Sequence, residues 1–142
     1  MEFLLYLSTT SMDIYKIISE RTRVVENSAI CRKYDIFGFY DPKINQLSMC
    51  TAKIKEFTNI KFNVNETFLH ENVHLAQACK GRNNEFSAFN ISQSTMILPV
   101  EKQKYFQKAI SFNPNQKQIE QEAFWMENSP DKVKYVIKKY CL

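Results

Sequence analysis

The stretch Glu66–Gly81, ETFLHENVHLAQACKG, decides how the rest of the chain is read. It holds both histidines of the protein, His70 and His74, four residues apart, with Glu71 directly after the first. Asn65 is a suitable N-cap and Gly81 a suitable stop, so the pattern predicts a helix over Glu66–Lys80. On that helix Leu69, Val73 and Ala76 line one face, and Phe68, Leu75 and Cys79 line a neighbouring one, so most of its circumference should be buried. Residues four apart stand about one turn apart on the same face. His70 and His74 can therefore aim ring nitrogens at one point, as two ligands of a tetrahedral ion must. Glu71 lies about 100° around the helix from His70. It is placed to take a proton from a metal-bound water rather than to become a ligand. The bland alternative is a pair of core histidines bonded to backbone or tyrosine. Unpartnered histidines on a buried helix would be costly.

The composition narrows the function classes. With 142 residues, 44% of them apolar, the chain can build one core and is expected to form a single domain over 1–142. Only two glycines and four prolines argue against a turn-rich sandwich and for helices. The net charge of +4 is thinly spread, with no run of five basic residues, so no nucleic-acid partner is expected. No apolar run is long enough to span a bilayer, so no membrane partner is expected either. The opening MEFLLYLSTTSM carries Glu2 and no basic n-region, and it reads poorly as a signal peptide. A cytoplasmic protein is the resulting expectation. The spacings between Cys31, Cys50, Cys79 and Cys141 contain no CxxC knuckle, and without a secretion signal the expectation is free, packed thiols.

Outward from the histidines, Ser11 can cap a first helix from Met12-Asp13 to about Arg23, with Ile14, Ile17 and Ile18 at helical spacing. Tyr34–Tyr40 and Leu47–Thr51, joined by Asp41-Pro42-Lys43, read as a β-hairpin. Further helices are expected over Glu85–Met96, after Pro99, after Asn113-Pro114 through IEQEAFWME, and after Ser129-Pro130 with Val133, Val136 and Ile137 inward. The fold class is thus α+β and mostly α-helical, with a small antiparallel hairpin or sheet beside a central helix.

His70-Glu71-Asn72-Val73-His74 resembles the HExxH signature of the zinc metallopeptidases called zincins. The metzincin extension would need a glycine and a histidine where this chain has Gln77 and Lys80, so that branch does not apply. In the gluzincin branch the third ligand is a glutamate on a later helix, often followed by alanine. Glu122-Ala123, preceded by Glu120, looks like the E-x-E-A pattern of small proteins whose HExxH is followed by V/L-x-Q, here Leu75-Ala76-Gln77. The hairpin resembles the zincin sheet, whose edge strand holds an extended substrate beside the metal. The resemblance spans roughly residues 34–140.

The resemblance implies a zinc-dependent peptidase acting on a peptide or protein. Zn2+ would be held by His70, His74 and Glu122, with Glu71 the general base toward a zinc-activated water. Glu85, eleven residues after His74, is the rival third ligand, and Glu120 and Glu127 read as solvated helix charges. Met126 stands where thermolysin-like members place an aspartate behind a zinc histidine. Glu127 and Gln77 are the candidates to support the rings instead. With no third histidine, Tyr135 is the first candidate to stabilise the oxyanion and Tyr40 the second. The competing classes are a non-catalytic zinc-binding interaction domain and a helical interaction module with structural histidines.

Overall fold

The computed structural model describes residues 1–142. A short 3-10 segment, Glu2–Tyr6, leads into α1 (Thr9–Ile18), β1 (Arg23–Glu26), α2 (Ala29–Lys33), β2 (Gly38–Asp41), β3 (Gln46–Met49) and α3 (Thr51–Ile54). The central helix α4 (Ile60–Lys80) follows, then α5 (Val100–Phe112), a 3-10 turn at Pro114–Gln116, α6 (Lys117–Met126) and α7 (Pro130–Cys141). The fold is α+β and mostly helical, as the sequence implies.

Helix α4 organises the core. Val64, Phe68, Leu69, Val73, Leu75 and Ala76 are buried along it, against α6, α7, β2 and the N-terminal 3-10 segment. Phe68 is fully buried, tilted against Phe3, and a side chain of that size contributes about 1.5–3 kcal/mol through burial. The helix starts earlier than the sequence suggests, after Asn59 in a left-handed conformation. Asn65 is a mid-helix residue rather than a cap. Its amide ties the N-terminal segment to the helix, accepting from Ser8 N and donating to Tyr6 O. At the other end, a Cβ on Gly81 would lie 1.9 Å from Glu85 O, so the chain can turn away there only on a glycine. Likewise α1 is capped by Ser8, whose hydroxyl accepts from Ser11 N, rather than by Ser11.

The sheet has three strands in the order β1-β3-β2. Strands β2 and β3 form the expected antiparallel hairpin, with Gly38 opposite Met49 and Asp41 opposite Gln46. Asp41 accepts from Lys43 N inside the turn, and Asn45 closes it in a left-handed conformation. Strand β1 adds a parallel partner on the far side of β3, which the sequence reading missed because Val24-Val25 is too short a signal. This leaves β2 as the edge that faces α4. Gly38 permits their approach: a Cβ there would stand 2.6 Å from Thr67 Cγ2 and 3.3 Å from Glu71 Cγ.

Two expectations fail outright. Residues 82–99 form no helix; Asn83, Asn84 and Asn90 adopt left-handed conformations incompatible with one, and the segment runs irregularly to α5. The cysteines are not free. Cys31 pairs with Cys50 and Cys79 with Cys141, the second bond tying the end of α4 to the end of α7. No helix is long and apolar enough to cross a membrane.

Candidate metal centre

The site is a polar seam between α4 and α6. On α4, Glu66, His70, His74 and Gln77 recur at helical spacing and form one stripe. On α6, Ile119, Glu122, Ala123 and Met126 make the buried stripe, while Glu120 and Phe124, with Glu127 just past the helix end, make the neighbouring one. The second stripe meets His70. Glu127 Oε2 lies 2.7 Å from His70 Nδ1, the Phe124 ring lies edge-on 4.8 Å from the imidazole, and Glu120 Oε2 lies 3.8 Å from Nε2. Glu120 Oε1 lies 3.0 Å from His74 Nε2. Glu66 closes the far end by accepting from Asn128 Nδ2.

The structure thus brings His70 and His74 together as the spacing requires, their rings 4.9 Å apart, but with Glu120 rather than Glu122. One ligand atom from each of His70, His74 and Glu120 lies within 4.8 Å of the others. Glu122 sits on the buried stripe, where Phe89 N, Gln77 Nε2 and Gln118 Nε2 all donate to its carboxylate. Its burial was legible; what satisfies that burial was not. Glu85 is exposed in the 82–99 segment and takes no part in the cluster. Of the candidates for supporting the rings, Glu127 lies behind His70, buried rather than solvated, and Gln77 Oε1 lies 2.8 Å from His74 Nδ1. Lys102 of α5, which no sequence signal marked, holds Glu127 Oε1 at 2.9 Å.

Neither candidate tyrosine reaches the histidines. Tyr135 is 63% exposed on α7, in a groove with Phe89, Trp125 and Lys139. The Tyr40 hydroxyl donates to Asn45 Oδ1 at 2.9 Å, and burial followed by the nearby Asp41 charge pushes its pKa up to about 12. Phe86, also unforeseen, fills the space between Tyr40 and the His74 ring.

Glu71 is buried beside the cluster, with the backbone N–H of Tyr40 close to its carboxylate. Burial raises its pKa; the two histidines pull the other way without cancelling it, and Glu120 adds to the rise. Burial opposes a charge on His70, yet hydrogen bonds to Glu120 and Glu127 outweigh it and hold the pKa well above the ordinary value. His74 is raised for the same reason, through Glu120. Burial likewise works against ionising Glu120, but His74 and His70 hold its pKa well below the ordinary carboxylate value.

These shifts describe two rings that hold protons against the Glu120 and Glu127 carboxylates. Both Nδ1 atoms are engaged with oxygen acceptors, so both Nε2 atoms can turn a lone pair toward the same carboxylate. Two protons could bridge them, at the cost of two imidazolium charges in contact. One divalent cation does so with a single charge centre. Two imidazoles and a carboxylate, with outer nitrogens hydrogen-bonded, are a donor set that suits zinc.

No curated protein and no solved structure matches the chain. One family model does, over residues 3–142, so the match takes in the hairpin, the His70–His74 helix and the Glu120 helix together. The chain belongs to the family described as a domain of unknown function, DUF8637.

Proposed function

We propose that the protein is a zinc-dependent peptidase whose metal ligands are His70, His74 and Glu120. The observation that carries the reading is the convergence of both Nε2 atoms on one carboxylate while both Nδ1 atoms are held from behind. Zinc bound there would supply a Lewis acid that polarises a carbonyl and brings a water's pKa toward neutrality. Glu71 would take the proton of the attacking water and deliver it to the leaving amine. Burial has already raised its proton affinity toward the working range of a general base.

Strand β2 supports a peptide as substrate. Its pairing bonds Phe37 O to Cys50 N, so the backbone groups of Gly38 and Tyr40 point away from β3, those of Tyr40 toward Glu71. That edge runs past Glu71, and an extended peptide could add to it alongside Gly38, Tyr40 being buried. The two disulfides favour maturation in an oxidising compartment over the cytoplasmic placement that the sequence suggested.

The test combines metal analysis with a peptide-library cleavage screen on the wild type and Glu71→Gln. About one zinc per chain in both proteins, with cleavage only in the wild type, is the expected result. Zinc without cleavage in either would favour a non-catalytic zinc domain. No zinc in either, with unchanged stability in chelator, would reduce the cluster to a structural ion pair.

A further inference from the structure

Gln77 stands at the centre of a hydrogen-bond chain whose direction can be read from its ends. Its Nε2 lies 3.0 Å from Ile119 O and 2.9 Å from Glu122 Oε1, and both of those atoms can only accept. Turning the amide over would set its oxygen against a carbonyl and a carboxylate in a fully buried position. Nitrogen therefore faces Glu122, and Oε1 faces His74 Nδ1 at 2.8 Å. An oxygen there accepts, so His74 Nδ1 carries a proton; Glu120 Oε1 also accepts, 3.0 Å from Nε2, so Nε2 is the nitrogen where a metal ion would take the place of a proton.

We infer that Glu122 is a positioning residue, which fixes the Gln77 amide and through it the tautomer that lets His74 bind metal. This rests on the zinc site proposed above for its purpose, though not for its hydrogen-bond logic. It also gives the buried carboxylate a role. Phe89 N, 3.0 Å away, and Gln118 Nε2, 3.2 Å away, hold Glu122 from the 82–99 segment and from its own helix. The otherwise irregular segment thereby helps to set the ligand geometry. A plain structural carboxylate would require no particular amide orientation.

The experiment reads tautomer and affinity separately. In Glu120→Ala labelled with 15N-histidine, which removes the acceptor facing Nε2, without metal and at a pH where the ring is neutral, His74 should be protonated on Nδ1. Free imidazole side chains favour the other nitrogen, so finding the proton on Nε2 would overturn the inference, whatever the protein does with zinc. In competition with a chelator, Gln77→Leu and Glu122→Leu should each weaken zinc binding about 10–100-fold, the usual cost of losing a partner behind a metal ligand. Glu122→Gln retains an acceptor toward Gln77 and should stay within a few-fold of wild type. Unchanged affinity in Gln77→Leu, or a loss in Glu122→Gln as large as in Glu122→Leu, would also overturn it. Should Glu122→Leu fail to fold, the tautomer in Glu120→Ala and the affinity of Gln77→Leu decide. Failure of every protein to bind zinc would sink the peptidase reading while leaving the tautomer result to judge the relay.

Discussion

Glu120 Oε1 lies 3.0 Å from His74 Nε2, while Glu122, two residues along the same helix, is completely buried and faces Gln77 instead. Residues two apart on a helix point about 200° away from each other, so only one carboxylate can serve the histidines. Zinc affinity should therefore fall more than about 100-fold in Glu120→Ala, beyond the range typical of outer-shell losses. Glu85→Ala should bind as the wild type does. A chelator-competition titration of both variants decides the matter, and a loss confined to Glu85→Ala would reassign the third ligand.

The disulfides should dominate chemical stability. Their sequence separations are 62 for Cys79–Cys141 and 19 for Cys31–Cys50. Loop-closure entropy then puts their contributions at about 4 and about 3 kcal/mol respectively. Urea unfolding of Cys79→Ser/Cys141→Ser and of Cys31→Ser/Cys50→Ser should show losses in that order. A thiol assay on the native wild type should find none free.

Glu26 gives the fold an acid-sensitive clamp. Its carboxylate accepts from Glu2 N at 3.0 Å, Phe3 N at 2.7 Å and Thr51 Oγ1 at 2.7 Å. Burial pushes its pKa upward, but the Thr51 hydroxyl and the two backbone amides outweigh that and lower it below the ordinary 4.5. A lowered folded-state value means stabilisation that is fully present above the unfolded value and lost as pH falls through the folded one. Glu26→Gln should cost about 1 kcal/mol at neutral pH, discounted for solvent screening. The variant should also lose stability less steeply than the wild type on acidification. Parallel urea titrations across the acid range test the slope, and identical slopes would remove Glu26 from the account.

The sequence disclosed the parts of the site that follow from one helix. His70, Glu71 and His74 carry their geometry in their spacing, and Gln77 lies one turn further on. What came from another element was legible only as a list of candidates. Glu120, Phe124 and Glu127 recur at helical spacing and could have been recognised as the face that meets the histidines. The Glu-Ala step pointed to Glu122, and the backbone amide of Phe89 that meets that carboxylate could not be foreseen. The helix expected at Glu85–Met96 failed for a related reason. Phe86 and Phe89 are drawn to His74, Tyr40 and Tyr140 by tertiary contacts, which overrode a weak local preference.

The Cys79–Cys141 bond joins the two sides of the irregular segment that separates α4 from α5. A single proteolytic cut anywhere between Arg82 and Leu98 would leave His70 and His74 on one piece and Glu120 on the other. The disulfide would still hold those pieces as one covalent molecule, with the α4–α6 seam intact. Such a nicked protein would migrate as two bands only after reduction, and dilution could not separate its halves. Damage to this irregular segment would then be survivable for the site, provided that one sulfur–sulfur bond persists.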